Sequence, residues 1–206
     1  MPTSDIAFSP AVKQVQVERG SRAAYARVES HGGFASEVDD DLRAFLADID
    51  TAFLATASND GQPYIQHRGG PKGFIRALDD RTLGFIDFTG NRQYVSTGNL
   101  RENDRVCLFL IDYARRRRVK VWGTARVVPA TPELVEQLRC DSSKIEQVVL
   151  VTVSAWDVNC PQHIPQKLDA ADVATALAKR DARIDELEAE LLRLQHVRRD
   201  DDAHDC

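Results

Sequence analysis

Asn91, Arg92, Gln93, Ser96, Thr97 and Asn99 stand within one short polar stretch. One guanidinium among amides and hydroxyls is a set that suits a phosphate. Arginine presents a planar fork of donors, and the amides and hydroxyls complete the shell. By composition alone the same residues would serve equally as a polar loop capping the next helical turn. Cys160 and His163 are a second candidate pair, since a neighbouring imidazole lowers a thiol pKa and makes a nucleophile. No third group supports them, and Pro161-Gln162 between them does not ensure contact. Asp87 ends an apolar strand and either accepts from a ligand or pairs with Arg68. His67 either lines a site or packs in a wall. Arg115 to Arg118 reads as a solvated hairpin tip, of which only Arg118 falls at a strand start. Trp122, Cys107 and Cys140 read as core.

The elements that position these groups are short. Ser9 caps a helix with Pro10 at its first position, and Gly20 ends it. Arg22 to Ser30 is a second helix. Asp39 or Asp40 caps a third, with Leu42, Phe45 and Leu46 on one face. Strands follow at 51–57, 62–68, 74–78 and 81–88, with an Asp60-Gly61 turn between the first two. A short helix over 94–102 follows the polar stretch. Residues 105–112 read as a strand buried on both faces, and 118–128 as an alternating, half-buried one. Thr131-Pro132-Glu133 opens another helix. Residues 147–156 form the last strand. Seven strands at short spacing, joined by hairpin turns, predict an antiparallel barrel. From Asp169 a long helix carries Val173, Leu177, Ile184, Leu187, Leu191 and Leu194 at alternating steps of three and four, interrupted at Arg180. This is a coiled-coil seam, expected to pair with a second copy. The expected divisions are an N-terminal helical segment (1–50), a barrel (51–168), a coiled-coil helix (169–198) and a disordered acidic tail (199–206).

With 206 residues, 43% hydrophobic and 29% charged, the chain has the composition of an ordinary globular protein. Its net charge of -5 disfavours general nucleic-acid binding. No apolar run approaches the roughly 20 residues needed to cross a bilayer. No basic-then-apolar leader opens the chain, so the expected location is cytoplasmic. Four scattered cysteines without a C-x-x-C pair predict neither a metal site nor a disulfide framework.

Four pieces together resemble the pyridoxamine 5'-phosphate oxidase-like, FMN-binding split-barrel family. They are Asp60-Gly61-Gln62-Pro63 leading into Ile65-Gln66-His67-Arg68, and the strand Leu83 to Asp87. They are also Gly90-Asn91-Arg92-Gln93 with Asn99 to Val106, and the strand Arg118 to Ala125. The loop Asn159 to Pro165 is similar to a flavin-nucleotide-binding branch of that family. The resemblance implies a mainly β fold with flanking helices, a split antiparallel barrel of six to seven strands that dimerises with two FMN sites at the interface. It implies that Asn91, Arg92 and Gln93 hold the FMN phosphate, with Gln66, His67 and Arg68 along the cofactor. Ile86 and Asp87 would lie beside the ring, and Arg118 and Val119 would reach it from the far end, from the second subunit. Gln162 and His163 would close over it on a stiff loop. The implied activity is a flavin-dependent oxidoreductase acting on a small molecule, with His67 or His163 as positioned donor. The alternatives are a flavin carrier or sensor, or a deazaflavin or haem site. In those, Arg115 to Arg118 would meet a charged tail and His163 would be the axial ligand. Gln93 stands where the oxidase proper has a basic residue, and Ile86-Asp87 where it has Tyr-Thr. Its C-terminal substrate-binding arginine and histidine have no counterpart.

Overall fold

The structure, a computed structural model, describes residues 1–159 and 161–204, except the side chains of 196–204. It divides into two units, 1–164 and 165–206. The first opens with a 3-10 turn (Thr3–Ile6), α1 (Pro10–Glu18), α2 (Arg22–Ser30) and α3 (Asp40–Asp48). Strands β1 (Thr51–Ala57), β2 (Pro63–Gly69), β3 (Arg76–Ala77) and β4 (Thr82–Phe88) follow. Then come α4 (Val95–Glu102), β5 (Arg105–Asp112), β6 (Arg117–Val128), α5 (Pro132–Gln137) and β7 (Ile145–Asn159). The second unit holds α6 (Ala170–His204).

Local chemistry starts the helices. The side chains of Ser9, Asp39 and Thr131 accept from the backbone N–H three residues on and cap α1, α3 and α5. The strands form one antiparallel sheet in the order β2-β1-β5-β6-β7-β4-β3. Its concave face gathers Leu54, Leu83, Phe85, Leu108, Val121 and Val151, and Leu42, Phe45 and Leu46 of α3 join the same core. Each such side chain contributes roughly 1.5–3 kcal/mol on burial. The sheet curls at a bulge between Trp122 and Gly123. A Cβ at Gly123 would fall 1.9 Å from the Thr152 carbonyl oxygen, so only glycine fits.

The curled sheet is a split barrel: no backbone ladder joins β2 to β4 among the described residues. Side chains join them instead, for Arg68 of β2 pairs with Asp87 of β4. Helix α4 lies against β1, β2 and β6 at this end. Strand β5 buries Val106, Leu108 and Leu110 on its inner face, and on the other face only Ile111 at its end. On its other face Phe109 is half-buried beside Phe53, so its apolar run reflects a partly covered outer surface. Strand β3 is shorter than the expected 74–78, because the loop through Gly73 occupies its start, and β7 is longer than 147–156. Helix α6 continues past Arg198 to His204. Cys160 and the tail's end, 205–206, lie outside the described residues.

Candidate functional site

Strand β2 turns Tyr64, Gln66 and Arg68 inward, and β4 brings Asp87 to meet them. The turn after β4 carries Asn91, Arg92 and Gln93 across the same opening, and α4 starts there. Together they line a cleft of about 240 Å³ with Ser96, Thr97 and Glu146. Its floor is a closed network. The Arg68 and Asp87 side chains are only 12% and 11% exposed. Arg68 Nη2 donates to Gln66 Oε1 (3.0 Å), which also accepts from Ser96 Oγ (2.8 Å). Gln147 Nε2 donates to Asp87 Oδ2 (2.8 Å) and to Thr97 Oγ1 (3.1 Å). The carboxylate is therefore satisfied on both oxygens, and Arg68 is occupied on one edge. Only its Nε is buried without a partner.

Arg92 is placed differently. It is exposed and adopts a left-handed backbone (φ 59°), as does Tyr94 (φ 54°). Two such residues close together are strained, since left-handed backbone crowds a Cβ. Arg92 Nε donates to the Tyr94 hydroxyl (3.2 Å), which donates to Glu146 (2.5 Å). No partner is recorded for its two Nη groups among the described residues. Tyr94 begins α4 without a side-chain cap, so the first N–H groups of the helix are left for something else. A guanidinium with its Nη groups available beside an uncapped helix start has donors that an anion could accept from.

The sequence model of the family described as Pyridoxamine 5'-phosphate oxidase matches residues 38–164. The chain belongs to the pyridoxamine 5'-phosphate oxidase family. Among solved structures it is similar to HupZ of Group A Streptococcus, with 16% identity, 63% of this chain and 98% of that one covered, and a TM-score of 0.48. An FMN-binding protein from Syntrophomonas wolfei matches at 10% identity over 73% and 95%, with a TM-score of 0.46. The FAD-binding protein of Mycobacterium smegmatis matches at 17% identity over 61% and 97%, with a TM-score of 0.40. A comparison with curated proteins finds no match.

Of the residues that the oxidase-family resemblance singles out, Gln66, Arg68, Asp87, Asn91, Arg92 and Gln93 share the cleft. The others stand elsewhere in the chain. His67 points to the outer face of β2, edge-on to Phe53 at 5.6 Å. Ile86 is buried with Leu138, Val148 and Leu150, in the cluster that α5 covers. Val119 lies in the barrel core, and Arg118 lines a separate cleft on the outer face of β6. Gln162 and His163 are exposed on the loop after β7. The basic run scatters. Arg115 pairs with Asp48 (2.9 Å) and Asp112 (3.0 Å), and Arg116 donates to the Pro161 carbonyl (3.4 Å). Arg117 lies over the Phe45 ring (5.3 Å). Gln147, Glu146 and Tyr94 enter the site without having been read as site residues. Gln147 carried a signal, being a lone amide leading a run of valines; Glu146 carried none.

Proposed function

We propose that the chain binds FMN, with the phosphate held in the Arg92 cleft, as a homodimer whose cofactor sites lie at the subunit interface. The observation that carries this reading is the unpartnered Nη fork of Arg92 beside the uncapped start of α4. Asn91 and Gln93 add amides to that shell. The Asn91 side chain is already turned back to accept from Gln93 N–H (3.2 Å), which leaves its amide donors free of that bond. The cleft's size supports a shared site. About 240 Å³ is below the roughly 300–1,000 Å³ of pockets that enclose a whole ligand. It suits the phosphate end of the cofactor, and the ring would find its cover on a second subunit; Val119, buried in the core, and Arg118, in a separate cleft, are not part of this reading.

When bound, the cofactor supplies hydride or electron exchange with a small molecule at the flavin ring. The residues of the chain orient it. Arg92 and the α4 N–H groups fix the anionic end, and the Gln66–Arg68–Asp87–Gln147 network keeps the cleft wall rigid. A second reading, a flavin carrier or sensor without turnover, is favoured by one observation: neither His67 nor His163 lines the cleft. The Arg115 to Arg118 run offers no single cationic patch for a deazaflavin tail, because each arginine has a different surrounding.

Helix α6 supports pairing independently. Its seam residues Leu177, Ile184, Leu187, Leu191 and Leu194 are exposed, and such a seam is buried by a second helix. In this reading the barrel carries the cofactor and 169–198 pairs two chains in the cytoplasm. No helix of the described residues is long and apolar enough to cross a membrane.

Titration of flavin-free protein with FMN and with riboflavin tests the clamp. FMN should bind at least about tenfold tighter, the worth of one charge-assisted hydrogen bond. Equal affinities would remove the phosphate assignment. Oxidation of reduced nicotinamide by the loaded protein then separates the oxidoreductase from the carrier.

A further inference from the structure

The largest cleft described lies away from the Arg92 site, between the N-terminal segment and the outer face of β6 and β7. It measures about 720 Å³, within the range of small-molecule sites. Alternation along β6 puts Arg118, Lys120 and Trp122 on this face. The register of β7 sets Asn159 opposite Arg118 and Asp157 opposite Lys120. Two polar atoms on the directly paired residues are buried without a partner: the Arg118 Nε donor and the Asn159 Oδ1 acceptor. The Asn159 amide nitrogen donates to Asp157 Oδ2 (3.1 Å), so the oxygen is the atom left over. Unmade buried donors and acceptors are rare in folded proteins and point to an absent partner.

Charge and shape narrow that partner. No ion pair is recorded for Arg118 or Lys120 among the described residues. Asp157, whose carboxyl is pushed up by burial with Lys120 opposing, is the one carboxylate among the described residues lining the cleft against these two cations. The floor is therefore net cationic. The wall is aromatic: Phe34 stacks on Trp122 at 5.6 Å and 9° between planes, and Phe8 packs edge-on against both Phe34 and Tyr25. Phe8, Tyr25 and Phe34 come from the segment before residues 38–164, and Trp122 from within them.

We propose that this cleft binds a flat aromatic carboxylate carrying a neighbouring hydroxyl or amino group. Arg118 and Lys120 take the carboxylate, Asn159 Oδ1 accepts from the ring substituent, and the aromatic wall covers the ring. This gives Arg118 a ligand within its own chain. The inference stands on the cleft's geometry and does not require the flavin reading.

The chain's two tryptophans, Trp122 and Trp156, both line the cleft, so intrinsic fluorescence reports on it. The full chain, with and without FMN, is titrated with 3-hydroxy-2-naphthoate, 2-naphthoate and 2-naphthol. The expected result is saturable quenching by the hydroxy acid at one per chain. Binding should be at least about tenfold weaker without the carboxylate, and several-fold weaker without the hydroxyl. Arg118→Met keeps the apolar stem, and Lys120→Met is a second variant should the first fold poorly. Either should erase most of the preference for the acid over the naphthol, while Arg92→Gly leaves it intact. Absence of saturable quenching, equal binding of acid and naphthol, or an unchanged preference in both methionine variants would overturn the proposal. Failure of FMN to bind would leave these titrations unaffected and count only against the flavin reading.

Discussion

Replacing Arg92 with glycine separates two demands on one residue. The backbone there is left-handed (φ 59°), which crowds a Cβ and costs on the order of 1 kcal/mol relative to glycine. The side chain is exposed, and its one recorded bond to the Tyr94 hydroxyl at 3.2 Å contributes little to the fold. Arg92→Gly should therefore leave stability unchanged or raise it by up to about 1 kcal/mol, after the entropy of a freer unfolded chain is deducted. The same change removes a bidentate, charged contact to phosphate, with about 1.5–3 kcal/mol at stake, or roughly 10–150-fold in dissociation constant. Urea denaturation of the flavin-free protein gives the first quantity, and titration with FMN and riboflavin the second. The expected pattern is equal or greater stability, weaker FMN and unchanged riboflavin. An FMN affinity within a factor of two of the parent would refute the clamp. A loss of riboflavin binding as well would show that the substitution disturbed the whole cleft.

Arg68 should behave in the opposite way. Arg68→Met leaves Asp87 buried and unpaired on one oxygen, so unfolding free energy should fall by about 3–5 kcal/mol in urea titration. A change below about 1 kcal/mol would mean that the pair does not close the barrel. The N-terminal segment should loosen first in acid. Glu29 is held below its ordinary carboxyl range by hydrogen bonds from Lys13 and then Arg22. A depressed folded pKa gives stability that is full above the ordinary glutamate value of about 4.3 and lost as pH falls through the folded one. Hydrogen exchange of α1 and α2 should rise below that pH before that of β5 and β6, and simultaneous loss would contradict it. For α6, a parallel pair sets Arg183 against Glu188 of the other chain, whereas an antiparallel one brings Asp181 near Glu188. Leu187→Cys in a Cys206→Ser background should thus cross-link into a covalent dimer under mild oxidation. Monomer alone would exclude parallel, in-register pairing.

Much of the architecture follows from local rules that a sequence carries. The caps at Ser9, Asp39 and Thr131 are side chains meeting their own backbone, so spacing suffices to find them. The strand order is not local, and nothing in the residues placed β7 between β6 and β4. The even apolar run of β5 masked a strand whose outer face is covered only in part by Phe53. At the site, the polar stretch from Asn91 to Thr97 was legible because it is contiguous. Grouping Gln66, His67 and Arg68 together was less sound, since successive strand side chains point to opposite faces. Period-two alternation alone separates His67 from its neighbours, as the inward Gln66 and Arg68 show.

The two arginines of the cleft show why residue type alone does not assign a role. Both line the cleft with Asp87, and both have the donors a phosphate needs. The missing ladder between β2 and β4 decides between them. A sheet that curls without pairing its ends must close through side chains, and Arg68 with Asp87 is that closure. Gln66 links it to Ser96, and Gln147 links it to Thr97, both in the first turn of α4. The helix start is thereby fixed by the same network that shuts the barrel. Arg92, outside that network and held in a strained backbone, contributes nothing comparable to the fold. In the reading proposed above, a ligand and not packing accounts for an exposed cation at such a position, beside a helix start that no side chain caps.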